Sequence, residues 1–189
     1  SIWIAVLTVV VSLAVAIPAG YALARLKLPF RGAILLLFLL PQAVPNMPIY
    51  VNIARVFYEI GLNGTVIGVV LVHAAHGLVL AVWIASAAFA AVDASLDEAA
   101  RNLGASPWTM FRRVLWPLAL PGIIAGAILC FILAMNAYAT PVLLGGPQFK
   151  MMGPLVFGQF RLNNWPFGAA IAFVLMTATL VLTASANLL

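Results

Sequence analysis

Apolar residues in this chain fall into five long stretches, with short polar segments between them. The stretches cover residues 1–24, 32–53, 65–92, 118–143 and 167–189. Each reaches the roughly 20 residues that an α-helix needs to cross a bilayer. They predict an all-α fold: a polytopic membrane helical bundle of five transmembrane helices, forming one domain over residues 1–189. The second stretch is interrupted by Pro41, Pro45 and Pro48. It is expected to end near Pro41–Pro45 and to continue as a short amphipathic helix over residues 52–60 on the membrane surface. Arg55 and Glu59, four residues apart, would share the wet face of that helix. Asn63-Gly64 predicts a turn before the third span.

One polar block breaks this pattern. Residues 93–116 contain three of the chain's four acidic residues and three of its nine basic ones. The block reads as two short helices joined at Gly104-Ala105-Ser106-Pro107. Gly104 permits the positive φ of a tight turn, and Ser106 before Pro107 makes an N-cap followed by proline at the first helical position. Glu98 stands beside the small residues Ala99 and Ala100, and Leu103, Trp108 and Phe111 supply an apolar face. Such a helix can enter a groove on a soluble partner, where its carboxylate meets a cation. The plainer alternative is a solvated loop with an ordinary helix.

Composition strengthens the membrane reading. Hydrophobic residues make up 66% of the 189 and charged residues 7%, with mean hydropathy +1.18; a soluble domain of this size is roughly half apolar. The net charge of +5 does not point to nucleic acid, because the basic residues lie scattered between apolar spans. They report topology instead. Arg25, Lys27, Arg31, Arg101, Arg112 and Arg113 fall on one side of the alternating spans, and Arg55, Lys150 and Arg161 on the other. The richer side is expected in the cytoplasm, together with residues 93–116, while residues 46–63 and 145–165 face outward. The single cysteine, Cys130, excludes an intrachain disulfide and reads as a small buried hydrophobe.

Few residues could carry chemistry. His73 and His76 share a helical face in the third span. Either they approach a solute pathway, as ionisable groups at membrane depth commonly do, or they satisfy hydrogen bonds between helices. Asn136 and Tyr138, near the outer end of the fourth span, join them as candidate pathway residues. No carboxylate or thiolate cluster accompanies the histidines, so no metal site is expected. Gly122 and Gly126 allow close helix approach, within the subunit or between subunits. No phosphate-cradling Gly-x4-Gly-Lys-Ser/Thr motif occurs, so hydrolysis of ATP would have to come from elsewhere. An ion-coupled carrier is disfavoured because no acidic residue sits at depth in the spans. A membrane-embedded enzyme is disfavoured because the histidines lack a nucleophile or metal partner.

Glu98-Ala99-Ala100, three residues, Gly104, nine residues, Val114 and then Pro117 resemble the cytoplasmic loop of permease subunits in binding-protein-dependent ABC importers. Val114 stands where that family usually has Ile, and Trp116 where it usually has Leu. The stretch from Met135 to Gly146, with Thr140-Pro141 and Gly145-Gly146, is similar to the spermidine/putrescine-type branch. So is Asn164-Trp165-Pro166-Phe167-Gly168-Ala169-Ala170. The resemblance implies a type I ABC importer permease fold with a cytoplasmic coupling helix. It further implies a multi-pass subunit of the bacterial inner membrane that is not itself an enzyme and needs no cofactor. Docking on the ATPase would use Glu98, Ala99, Ala100, Leu103, Gly104, Ala105, Ser106 and Phe111. The implied partners are two ATP-binding subunits, a second permease subunit in a homo- or heterodimer, and a periplasmic or lipid-anchored solute-binding protein. The chain would then lack an N-terminal helix and the extreme C-terminus of the whole permease. The implied solute is a small amine such as a polyamine, with opines and aminophosphonates as the branch's alternatives. Many branch members carry an acidic residue where Asn136 stands, and an amide offers only hydrogen bonds to a cation.

Overall fold

The computed structural model describes residues 1–44, 46–146 and 149–186. Pro45, residues 147–148 and the expected end of the fifth span at 187–189 lie outside the described residues. The described chain is helical: α1 (Ile2–Arg25), α2 (Arg31–Ala43), α3 (Asn46–Glu59), α4 (Val66–Ala90), α5 (Ala94–Asn102), α6 (Pro107–Met110), a π-helical segment (Phe111–Leu115), α7 (Trp116–Asn136), α8 (Ala139–Leu144), α9 (Met152–Arg161) and α10 (Trp165–Ala186).

Among the described residues, four helices are long and apolar enough to cross a membrane: Ile2–Arg25, Val66–Ala90, Pro107–Asn136 and Trp165–Ser185. The expected second span is not a fifth such helix. It is divided into the 13-residue α2 and the 14-residue α3. At 1.5 Å per residue α2 reaches only about 20 Å, short of a hydrocarbon core of about 30 Å. The break has a local cause. Val44 precedes Pro45, and steric conflict with a following proline ring excludes the helical region; Val44 accordingly turns extended, with φ −94° and ψ 138°. α3 begins earlier than the expected residue 52 but has the expected character: Arg55 Nε lies 3.9 Å from Glu59 Oε1, both exposed.

α1 and α4 run parallel. Ile4 packs with Val69, Val70 and Val72 at one end, while Ile17 and Tyr21 pack with Phe89 and Val92 at the other. Between those ends, Ser12 Oγ donates to Ala74 O at 3.4 Å. A β-carbon at Gly20 would stand 2.7 Å from Ala85 Cβ, so the two backbones approach closely there. α2 and α3 together return the chain from the Arg25 end to the Val66 end. α2 lies against the middle of the pair, where Trp83 Nε1 donates to Leu35 O at 3.0 Å, and α3 places Tyr50 in the Ile4 cluster.

α7 runs antiparallel to α4. Its Gly122 and Gly126 meet Ala88 and Ile84 of the same chain, so the small-residue pair serves packing within the subunit. The fourth span begins earlier than residue 118, because Pro107–Asn136 is one continuous 30-residue apolar helix. The π segment in its first third has a chemical reason: Pro117 has no N–H to give the carbonyl four residues back. The Trp116 N–H instead reaches Phe111 O, one residue further than in an α-helix.

This topology gathers Arg25, Arg101, Arg112 and Arg113 at one end of the bundle, hereafter the basic end. Arg55, Lys150 and Arg161 lie beyond the other.

Candidate functional site

Two features stand out: a well-capped loop at the basic end, and a largely apolar cleft with several polar side chains that reaches from the middle of the bundle to the opposite end.

The loop is defined by its caps. Asp93 begins α5 by accepting the Ser95 N–H at 2.9 Å, and that bond holds the Asp93 carboxyl below the usual carboxylate range. Gly104 ends α5 with φ +78°. Its N–H bonds Arg101 O at 2.9 Å, and the Ala105 N–H bonds Ala100 O at 3.0 Å. This pair of bonds is the Schellman arrangement, which closes the helix carbonyls and favours glycine at the left-handed position. Ser106 Oγ then accepts the Thr109 N–H at 3.2 Å, and Pro107 occupies the first turn of the next helix. Every bend of the loop therefore has a residue that fixes it.

The loop residues divide into two groups. Glu98, Ala99, Gly104 and Ser106 are exposed, Leu103 reaches 88% exposure, and Trp108 projects from the surface. Ala100, Ala105 and Phe111 are half-buried. Phe111 belongs to the bundle: it meets Tyr21 edge-to-face at 5.3 Å and stacks on Trp108 at 5.7 Å. It anchors the loop, whereas Leu103 and Trp108 leave apolar surface free.

A second anchor had no signature in the sequence. Arg25, in the last turn of α1, reaches Asp97 Oδ2 in the first turn of α5 at 3.3 Å. It also donates to Val92 O at 2.6 Å. Their side chains keep only 12% and 16% of their exposure. Asp97 lies at a helix N-terminus and Arg25 at a helix C-terminus, so each charge also opposes the partial charge of its own helix end. Local patterns assign Arg25 to topology and give Asp97 no partner; the pairing spans 72 positions and emerges only in the fold.

The cleft has a volume of about 290 Å³ and is walled by α3, α4, α7 and the segment through α8. It brings together all four polar residues singled out in the sequence: His73, His76, Asn136 and Tyr138. Tyr50, Cys130 and Thr140 also line it. Tyr50 faces His76 with ring centres 6.4 Å apart, and Tyr138 packs on Phe157 at 4.7 Å. Asn136 Nδ2 donates to Ile132 O of its own helix at 2.8 Å, leaving its Oδ1 free for another donor. His73 is 7% exposed, and neither of its ring nitrogens has a hydrogen-bond partner among the described residues. Among the described residues, no Asp, Glu, Lys or Arg lines the cleft. The described residues hold no cluster of three or more His, Cys, Asp or Glu able to bind a metal.

The family described as "Binding-protein-dependent transport system inner membrane component" matches residues 16–189. The chain is 35% identical over 164 residues to the trehalose transport system permease protein SugB of Mycobacterium tuberculosis, a match covering 85% of this chain and 58% of that protein. It is 43% identical over 82 residues to the spermidine/putrescine transport system permease protein PotB of Haemophilus influenzae, covering 43% of this chain and 29% of that protein. The matches thus span less than two thirds of either relative. Among solved structures, an inward-facing conformation of the MetNI methionine ABC transporter superposes with TM-score 0.76 at 17% identity, covering 98% of this chain and 89% of that one. At that identity the likeness speaks for the fold.

Proposed function

This chain belongs to the family of binding-protein-dependent transport system inner membrane components, and from that premise we propose that it is the permease subunit of an ABC importer. It contributes half of a solute pathway across the bacterial inner membrane and hydrolyses no ATP itself. Two ATP-binding subunits dock at the basic end, on the cytoplasmic side, and a solute-binding protein delivers cargo at the opposite face. A second permease subunit completes the pathway.

The observation that carries this reading is the loop. Glu98, Leu103 and Trp108 present a charge and two apolar side chains on a turn fixed by Gly104 and Ser106, and the turn is tied to the bundle by Phe111 and Arg25. A loose loop would absorb a push; this one passes it on. When the ATPase subunits close, α5 moves, and Asp97 draws the end of α1 with it. α1 packs along α4 past Ser12 and Ala74, next to His73 and His76. Motion at the loop therefore reaches the cleft through two packed helices, which supports alternating access. Glu98, Ala99, Ala100, Leu103, Gly104, Ala105 and Ser106 form the docking element, and Phe111 supports it from beneath.

For the cargo, the likeness to PotB and the Thr140-Pro141 and Asn164-Trp165-Pro166 stretches favour a small amine such as a polyamine. The uncharged cleft favours a neutral solute. Co-purification tests the importer reading apart from cargo. The tagged permease should retain ATPase subunits, and Leu103→Asp together with Trp108→Asp should release them while the permease remains in the membrane. Retention at the wild-type level would remove the loop as the docking element.

A further inference from the structure

We infer that the cleft around His73 is a binding site for an uncharged, hydroxyl-bearing solute, recognised by hydrogen bonds and aromatic faces rather than by charge. The inference rests on the importer reading and names the cargo class of that same pathway.

His73 is the first ground. It is 93% removed from solvent by its 7% exposure, it lines the cleft, and neither of its nitrogens has a hydrogen-bond partner of good geometry among the described residues. A buried polar group left unpaired costs about 1–3 kcal/mol, so a ligand that satisfies it gains from doing so. An uncharged imidazole offers one donor and one acceptor. A hydroxyl group can answer either, because it too both donates and accepts. An ammonium group only donates, and would leave the imidazole N–H unmatched.

The second ground is what surrounds it. Asn136 keeps a free amide oxygen, and Tyr50, Tyr138 and Thr140 bring three hydroxyls, while no carboxylate lines the wall. The four acidic residues of the chain are Glu59, Asp93, Asp97 and Glu98; none of them lines the cleft. Glu59 pairs with Arg55 on the exposed face of α3, and the others belong to the basic end. A multiply charged amine would enter this half of the pathway with its hydration removed and nothing opposite to replace it, a costly arrangement at membrane depth. Tyr50 and Tyr138 supply flat apolar faces for the carbon skeleton of a ring or polyol. The volume of about 290 Å³ lies at the small end of ligand sites, fitting a mono- or disaccharide-sized cargo shared with a second subunit.

The test uses the whole importer, permease pair and ATPase subunits together, in lipid nanodiscs without its binding protein. Saturation-transfer NMR would be recorded with trehalose, glycerol and inositol as neutral probes and spermidine as the cationic one. At least one neutral probe should give transfer to wild type and spermidine should not. Asn136→Leu and His73→Phe should each weaken that transfer by roughly tenfold, the scale of one lost hydrogen-bonded pair. Asn136→Asp should create a spermidine signal. Asn136 stands at the cleft rim, so its variants test the site even where His73→Phe fails to assemble. Spermidine transfer to wild type, silence from every neutral probe, or neutral transfer unchanged in Asn136→Leu would each overturn the inference. Loss of ATPase subunits from wild type would instead indict the importer reading.

Discussion

Arg25 and Asp97 join two helices by an ion pair: Nη1 of the last turn of α1 stands 3.3 Å from Oδ2 of the first turn of α5. The pair is mostly enclosed, and the same guanidinium closes Val92 O at 2.6 Å. Removing one partner leaves a charge without its counterpart in a site largely shut to water. Arg25→Ala or Asp97→Ala should therefore destabilise the subunit by about 2 kcal/mol or more, read as a lower thermal midpoint in detergent. The exchanged double variant Arg25→Asp with Asp97→Arg should recover only part of that loss, because it places each charge at the wrong helix end. Additive effects of the two alanine variants would show that the pair is not coupled.

The α1–α4 contact makes a contrasting pair of glycine predictions. A side chain at Gly20 meets Ala85 Cβ at 2.7 Å and the Ser86 backbone nitrogen at 2.8 Å, and the backbone cannot yield cheaply. Gly20→Val should cost about 1–3 kcal/mol or prevent assembly. Gly158, inside α9, has nothing within 4 Å of a built β-carbon. Gly158→Ala should stabilise by about 0.5–1 kcal/mol, the difference between the two residues in a helix interior. Equal effects at the two sites would contradict the packing described here.

Much of this fold was written locally. The third apolar stretch, 65–92, became Val66–Ala90, because Thr65 caps its start and accepts the Gly68 N–H at 3.0 Å. The turn at Gly104 and the cap at Ser106 follow from residues whose geometry is nearly independent of context. Other features were not legible. Hydropathy counts apolar residues but does not register that Val44, ahead of Pro45, leaves the helix, so the second span was too long. The polarity of Arg112 and Arg113 hides the continuity of Pro107–Asn136, since a helix emerging from the bilayer changes composition while its backbone stays helical, here through a π-helical turn. His73, His76, Asn136 and Tyr138 stand out in the sequence by their polarity and their place in the third and fourth spans; their shared cleft comes from the antiparallel register of α4 and α7. Tyr50 has no signal, because Tyr is unremarkable at the end of an apolar helix, and Thr140 stands out only within the stretch that resembles the permease branch.

Orientation gives a third prediction. With Cys130 replaced by alanine, single cysteines at Tyr58 and Asn102 should label oppositely in intact cells. Both positions are exposed on opposite ends of the bundle, and the six-to-three distribution of basic residues places Asn102 inside. An impermeant maleimide should reach Tyr58→Cys directly and Asn102→Cys only after permeabilisation. Labelling of Asn102→Cys from outside would reverse the assignment.

The central claim is that the loop between Asp93 and Ser106 couples hydrolysis in a partner to movement of the spans. Gly104 holds φ +78°, where a β-branched side chain costs about 1 kcal/mol or more and turns the following helix away. Glu98 is exposed for a partner cation, and losing such a contact costs about 2–5 kcal/mol where it is buried on docking. The decisive measurement is binding-protein-stimulated ATP hydrolysis alongside solute uptake in proteoliposomes, for wild type, Gly104→Val and Glu98→Ala. Both variants should insert normally and lose uptake, together with most of the stimulated hydrolysis. Full stimulation and wild-type uptake in both would contradict the account.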